Sequence, residues 1–261
     1  MNKYPLYQID AFAEKPFTGN PAAVVIFDEW PDIKTMQHIA MENNLSETAF
    51  LVKRNDVYCV RYFTPTVEVE LCGHATLASG YVLFNFYGLK ETITLRTMTK
   101  GDLFIEKSGD QIILDFPADK FYPAEIPAHT IEALKIKPTE AYWGMNDLLL
   151  VYENEQQIID INPNFDLLNK VRSRGVCVTA PGDQVDFVSR FFAPQSGINE
   201  DPVTGSAHTT LIPYWSDRLG KFKMVARQLS KRGGTLYCEM KDERVNIGGK
   251  AIHYLTGEIS V

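Results

Sequence analysis

A short pattern occurs twice in this chain, and its repetition constrains the fold more than any other feature of the sequence. "RYFTP" (residues 61–65) and "RFFAP" (residues 190–194) share Arg, Phe and Pro. Each is followed by a loop and then by Gly-x-Ala at the start of an apolar helical stretch. The offset is 129 residues for the strand motif (190 − 61) and 132 for the glycine (205 − 73), about half of the 261 residues. Recurrence of strand, proline turn, glycine and apolar helix favours duplication of one domain.

Both halves consist mainly of short alternating or β-branched runs with few helices between them, which favours an α+β architecture over a doubly wound parallel sheet. The helices after the two glycines are apolar over most of their circumference, so we expect strands to enclose each of them. A proline-rich segment near the midpoint marks a linker. We predict two pseudo-equivalent domains: residues 1–117, completed by a C-terminal strand at 252–261, and residues 118–251.

Composition narrows the function classes. The formal net charge of −7 includes no basic run, so nothing indicates binding to nucleic acid or to a membrane surface. No apolar run approaches the ~20 residues that span a bilayer, and the N-terminus lacks a signal-peptide pattern, so we expect a cytoplasmic protein. The four cysteines form no Cys-x-x-Cys pair, which disfavours a zinc knuckle, a redox dithiol and a disulfide framework.

The two glycines, Gly73 and Gly205, suggest a ligand site. The first N–H groups of a helix lack intrahelical partners and carry partial positive charge, and a glycine lets an anion approach them. Two such starts would suit a carboxylate. Alternatively, the glycines only permit tight turns, with Ser206 or Thr204 capping the second helix. Occurrence in both halves favours the ligand role.

Titratable side chains lie beside these glycines. His74 follows Gly73, Cys72 precedes it, and Asp201 lies shortly before Gly205. In "NNLSETAFLV", Glu47 lies in a run typical of a buried strand, where desolvation would raise the pKa of its carboxyl group toward the range of a general base. The alternation also allows Glu47 to face solvent, and the sequence leaves both arrangements open.

Four separated motifs now carry a resemblance. "FTGNPAAVV" (17–25), "LSETAFL" (45–51), "RYFTP…EVELCGHAT" (61–76) and "DPVTGSAH…PYW" (201–215) closely resemble the PhzF-like phenazine biosynthesis isomerase family. Its superfamily includes diaminopimelate epimerase. The resemblance implies two α+β domains, each with strands wrapped around a central helix, an active site in the cleft between them, and a homodimer.

The resemblance also implies an activity: isomerisation or epimerisation of a small carboxylic acid by proton transfer, without a metal or an organic cofactor. In the phenazine-pathway member, the implied substrate is trans-2,3-dihydro-3-hydroxyanthranilic acid. Carried over by motif, Glu47 is the general acid/base, and His74 assists proton transfer or orients the substrate. The remaining site positions are a third catalytic candidate, Asp201, and the substrate-binding candidates Gly73, Ser206, Gly205 and Asn20.

Other mechanisms remain as alternatives. Diaminopimelate epimerase and proline racemase use two opposed cysteines, but here only Cys72 lies in a suitable region, and a one-base mechanism through Glu47 is therefore preferred. A non-catalytic protein that keeps the fold for ligand or partner binding is a second possibility. A metal-dependent lyase using Cys72, His74 and His208 is a third, although Cys-x-His without a second ligand pair is weak support for zinc.

Overall fold

The computed structural model describes residues 2–261. The chain divides into two compact units, Met1–Phe116 with Ile247–Val261, and Pro117–Asn246. Both units are mixed sheets with few helices, which confirms the predicted α+β class. The predicted domain boundaries, 1–117 with 252–261 and 118–251, stay a prediction.

The helices and strands are numbered separately in chain order. The helices are α1 (Ile33–Asn43), α2 (Gly73–Asn85), α3 (Thr130–Leu134), α4 (Glu155–Asp160), α5 (Phe165–Leu168) and α6 (His208–Leu219), with 3₁₀ turns at Pro194–Ser196 and Gly205–Ala207. The strands are β1 (Lys3–Ala11), β2 (Asn20–Phe27), β3 (Glu47–Arg54), β4 (Val57–Phe63), β5 (Glu68–Val69), β6 (Ile93–Arg96), β7 (Asp102–Ser108), β8 (Gln111–Pro117), β9 (Tyr122–Pro123), β10 (Glu140–Trp143), β11 (Asp147–Val151), β12 (Gly175–Pro181), β13 (Phe187–Ala193), β14 (Ile198–Asp201), β15 (Lys223–Gln228), β16 (Gly234–Lys241), β17 (Arg244–Gly249) and β18 (Ala251–Ser260).

The strand pairing repeats between the two units. In the first, β2 and β3 are parallel, β3 and β4 antiparallel, β4 and β5 antiparallel, and β4 and β6 parallel. In the second, β11 and β12 are parallel, β12 and β13 antiparallel, β13 and β14 antiparallel, and β13 and β15 parallel. Helix α2 lies between β5 and β6 in sequence, and α6 between β14 and β15. The two domains are therefore pseudo-equivalent, as the repeated motif predicts.

The repeated arginine makes the same ion pair in each unit. Arg61 donates from Nε and a terminal nitrogen to both carboxylate oxygens of Glu68, each at 2.7 Å. Arg190 donates in the same way to Glu200, at 2.7 and 3.1 Å. A bidentate guanidinium–carboxylate pair has a defined geometry. It ties the repeated strand to the short strand that leads into the following helix.

Helix α2 is enclosed along most of its length, as its apolar circumference predicts; its exposed or half-buried positions are Tyr81 and Asn85. Polar side chains inside the helix bond to its own backbone. Thr76 Oγ1 donates to the Cys72 carbonyl at 2.6 Å, and Ser79 Oγ to that of Ala75 at 2.7 Å. These bonds satisfy hydroxyl groups that have no access to water.

Helix α6 departs from the prediction in two ways. A 3₁₀ turn at Gly205–Ala207 precedes it, and its last turn is exposed at Asp217 and Arg218, where charged side chains face water.

Pro213 lies inside the helix and has no N–H to bond the Thr209 carbonyl. The backbone N–H of Asp119 donates to that carbonyl at 3.0 Å instead. The proline is thereby accommodated without leaving the carbonyl unsatisfied.

His208 is a buried residue of the second unit. It is fully buried, its Nδ1 lies 2.9 Å from the Thr204 carbonyl, and its ring lies 6.0 Å from that of Phe187. Because the carbonyl can only accept, Nδ1 carries the proton of a neutral imidazole. Burial lowers the pKa of His208 to about 4, although the bond to Thr204 opposes this shift.

This lowered pKa predicts acid-dependent stability. An unfolded histidine binds a proton below pH ~6.5, while the folded one does so only near pH 4. The contribution of His208 is therefore present above pH ~6.5 and decreases by about 1.4 kcal/mol per pH unit as the pH falls toward 4. We expect urea unfolding to show this slope in the wild type and its loss in His208→Asn, whose amide replaces the Nδ1 donor. Identical slopes in the two proteins would contradict the assignment.

Candidate functional site

Glu47 begins strand β3, directly opposite Ala22 of the parallel strand β2. Its side chain is 13% exposed, so it does not project into solvent. The carboxylate oxygen Oε2 lies 3.1 Å from Nε2 of His74. The solvent-facing alternative left open by the sequence is therefore wrong, and the carboxylate is paired within its own unit.

His74 is the second residue of helix α2, and its side chain is 5% exposed. Besides Glu47, its ring contacts Asn20, whose Nδ2 lies 3.1 Å from Nδ1, and Cys72, whose Sγ lies 3.4 Å from the same atom. In the neutral imidazole, the Asn20 amide can donate to Nδ1, and the ring proton then lies on Nε2, toward Glu47. The start of the helix, the end of the loop and the first residue of β3 thus form one group of close polar contacts.

The charges in this group are coupled. Burial disfavours the charged imidazole, but Cys72 and Glu47 beside it more than offset burial and hold the pKa of His74 well above its usual value. Burial, and then the negative charge of Glu47, raise the pKa of the Cys72 thiol. The Glu47 carboxylate therefore favours the protonated form of both neighbours, the imidazole and the thiol.

The second unit holds Asp201 in a clamped loop. Thr204 Oγ1 donates to Asp201 Oδ2 at 2.5 Å. The buried Gln228 donates from Nε2 to the Asp201 carbonyl at 2.7 Å and accepts from the Thr204 N–H at 2.9 Å. These bonds fix the segment immediately before Gly205. Gln228 is remote in sequence, and no local signal marked it.

Ser206 lies in the 3₁₀ turn that opens at Gly205, and its hydroxyl is held by an arginine that sequence reasoning missed. A terminal nitrogen of Arg174 donates to Ser206 Oγ at 3.1 Å. Nε of the same guanidinium donates to Asp147 Oδ1 at 2.9 Å, and a second terminal nitrogen pairs with Oδ2 of that carboxylate. Arg174 precedes β12 and Asp147 begins β11, so pairing of these strands brings them together.

The seven sequence-predicted residues thus form one group in each unit. Asn20, Glu47, Gly73 and His74 lie together in the first. In the second, Asp201 ends strand β14, and Gly205 and Ser206 open the 3₁₀ turn that follows it. Each group stands at the start of the enclosed helix of its own unit.

One set of side chains in the described part of the chain has donors placed for a metal ion: Glu47, Cys72 and His74, whose ligand atoms lie within 4.8 Å of one another. An oxygen, a sulfur and a nitrogen donor suit zinc. Binding would require the Cys72 thiol, whose pKa is raised, to lose its proton. His208, expected as a third ligand, is not in this group, and its Nδ1 is hydrogen-bonded to the Thr204 carbonyl.

Among residues 2–261, no helix has the length and apolar character of a membrane span.

Comparison with known proteins identifies the family of this chain. Residues 9–257 match the model of the phenazine biosynthesis-like protein family. An uncharacterized isomerase of Pseudomonas aeruginosa is 47% identical over 254 residues, 97% of this chain and 98% of the relative. The crystal structure of a PhzF-family phenazine biosynthesis protein from Enterococcus faecalis superposes with a TM-score of 0.96 at 48% identity, covering all of both chains.

A more distant structure shares the fold. A probable proline racemase from Agrobacterium radiobacter superposes with a TM-score of 0.67 at 10% identity, covering 99% of this chain and 93% of the other. The repeated strand order around an enclosed helix is therefore that of the epimerase fold. The family model and the near full-length matches show that this chain is an isomerase of the PhzF-like phenazine biosynthesis family.

Proposed function

We propose that the protein moves a proton on a small carboxylic acid without a cofactor, with Glu47 as the general acid/base. The observation that carries the proposal is the buried pair of Glu47 and His74, with 3.1 Å between Oε2 and Nε2 at the start of α2. A base must be desolvated, held in place and adjacent to a second proton carrier to transfer protons efficiently. Glu47 and His74 have all three properties.

The steps follow from the donor and acceptor roles. The Glu47 carboxylate removes a proton from the carbon next to an unsaturated or carboxyl-bearing group. The same carboxyl group returns the proton to another carbon, or to the other face of the same one. His74, whose Nε2 lies 3.1 Å from Glu47 Oε2, exchanges protons with it. The high pKa of the imidazole suits it to hold a proton while Glu47 is ionised.

Substrate binding completes the proposal. A developing negative charge on the substrate is stabilised by fixed N–H donors, which the helix start at Gly73 supplies in the first domain. We propose that the substrate occupies the cleft between the domains, with Asn20 oriented toward it and Asp201, Gly205 and Ser206 contributing from the second domain. The family resemblance supports this placement, and on the same ground we propose a homodimer in the cytoplasm.

The role of Glu47 is tested by proton NMR in D₂O on a panel of unsaturated and amino carboxylic acids that includes dihydro-hydroxyanthranilic acid. We expect the wild type to incorporate deuterium or shift a double bond in at least one acid. Glu47→Gln keeps the size and a hydrogen-bond acceptor but cannot take up the proton, so we expect a loss of about 10²-fold or more.

The matched control is Glu106→Gln, which removes an exposed carboxylate from β7 of the same unit and leaves turnover unchanged. Thermal unfolding of all three proteins confirms that they are folded. Wild-type turnover by folded Glu47→Gln would contradict the assignment. Absence of exchange with every acid in the wild type would favour the non-catalytic ligand-binding alternative.

A metal-assisted lyase is the second candidate, because the donors of Glu47, Cys72 and His74 lie within 4.8 Å of one another. The two candidates differ in their need for the sulfur atom. Metal chemistry at this group uses Cys72 as a thiolate ligand, whereas proton transfer through Glu47 and His74 does not require it.

Cys72→Ala separates the two candidates. We expect the variant to keep turnover within about threefold of the wild type, because a thiol of raised pKa is a poor proton carrier at neutral pH. The measurement is the same deuterium-exchange rate, with zinc content determined on both proteins. A loss as deep as that of Glu47→Gln would give the sulfur an essential role, and loss of bound zinc with it would favour the lyase.

A further inference from the structure

The duplication identifies a second-domain counterpart of the Glu47–His74 group. His74 follows Gly73 and Ser206 follows Gly205, with the same offset of 132 residues (206 − 74). At the start of each enclosed helix, the residue after the glycine therefore occupies an equivalent position. In the first domain it is an imidazole, and in the second it is a hydroxyl.

Strand register extends the equivalence to the groups that hold these residues. Thr48 lies opposite Phe63, and Val176 opposite Phe192, which is the same residue of the repeated motif. Gly175 thus corresponds to Glu47.

The neighbouring strand gives the next correspondence. Ala22 lies opposite Glu47 in the β2–β3 pair, and Asp147 lies opposite Gly175 in the β11–β12 pair. The second domain accordingly has Asp147 at the position of Ala22, and Arg174 lies one residue before the position of Glu47.

Arg174 is fixed from several directions. Asp147, with a side chain 10% exposed, binds two nitrogens of the guanidinium, and the ring of Phe191 lies 5.5 Å from the guanidinium carbon. A third nitrogen donates to Ser206 Oγ at 3.1 Å. A bidentate carboxylate partner leaves the planar guanidinium little freedom to rotate.

This arrangement determines whether the Ser206 hydroxyl donates or accepts a hydrogen bond with a ligand. A guanidinium has donors and no acceptor, so Ser206 must accept from Arg174. The single hydroxyl proton is then left to be donated elsewhere. The carboxylate of the proposed substrate can accept this proton, its negative charge makes it a stronger acceptor than an uncharged carbonyl, and a charged donor behind the hydroxyl oxygen strengthens the outgoing bond.

We propose that Arg174 is a positioning residue that fixes Ser206 as a hydrogen-bond donor to the carboxylate of the substrate. This inference rests on the proposed carboxylic acid substrate and adds the residue that controls its recognition. Because Asp147 compensates the charge of Arg174, the arginine acts through Ser206 rather than as a free cation.

The experiment measures binding of two probes by isothermal titration calorimetry: 3-hydroxyanthranilate and its uncharged amide, 3-hydroxyanthranilamide. The proteins are the wild type, Ser206→Ala, Arg174→Gln and the double variant. We expect each single variant to bind the carboxylate about tenfold more weakly, as loss of a hydrogen bond to a charged group does. The double variant should also lose about tenfold, because both changes remove one coupled interaction. Affinity for the amide should change by less than about threefold.

Two controls separate positioning from folding. Removing Arg174 leaves Asp147 buried without its cation, so Asp147→Asn/Arg174→Gln provides a variant in which that charge is also removed. Arg96→Gln removes an exposed bidentate partner of Asp102 and should leave both affinities unchanged. Thermal unfolding verifies that each protein is folded.

Three results would overturn the inference. These are an additive, about hundredfold loss in the double variant, an equal loss for the amide, and wild-type affinity in folded Arg174→Gln. Failure of the wild type to bind the carboxylate would also overturn it. Deuterium exchange would then still decide whether the protein is the proposed isomerase.

Discussion

The enclosure of helix α2 by the strands of its own unit is the constraint on which the candidate site depends. A helix buried over most of its length must satisfy its buried polar side chains internally, and Thr76 and Ser79 bond to backbone carbonyls one turn earlier. These bonds anchor the first two turns of the helix. His74 is held by that start, and its ring meets Glu47 and Asn20, which come from the first residues of two other strands.

Duplication provided two such helix starts, and their chemistry has diverged. The first carries an imidazole paired with a carboxylate. The second carries a hydroxyl that accepts from Arg174, which in turn donates to the Asp147 carboxylate. The arginine–glutamate pairs at Arg61 and Arg190 remained the same, because they join strands in each unit and take no part in either group.

Two buried histidines, His208 and His74, show how neighbouring groups determine the pKa of an imidazole. His208 faces a backbone carbonyl and an aromatic ring, so burial dominates and lowers its pKa to about 4. His74 is as deeply buried, yet Cys72 and the Glu47 carboxylate beside it hold its pKa well above the usual value. Histidine is thus an uncharged core group in one unit, and its protonated form is favoured in the other.

The sequence by itself determined the α+β class, the duplication and the positions of the motifs, since strand alternation, turn residues and motif spacing are local properties. It did not reveal β14, whose residues Ile198–Asp201 are mostly polar and resemble a loop. Nor did it mark Arg174, Asp147 or Gln228, whose partners are 24 to 32 residues away in sequence. Only strand pairing joins these groups, because a hydrogen bond depends on distance in space. Tertiary structure likewise decided that Glu47 is buried against His74, which alternation alone left open.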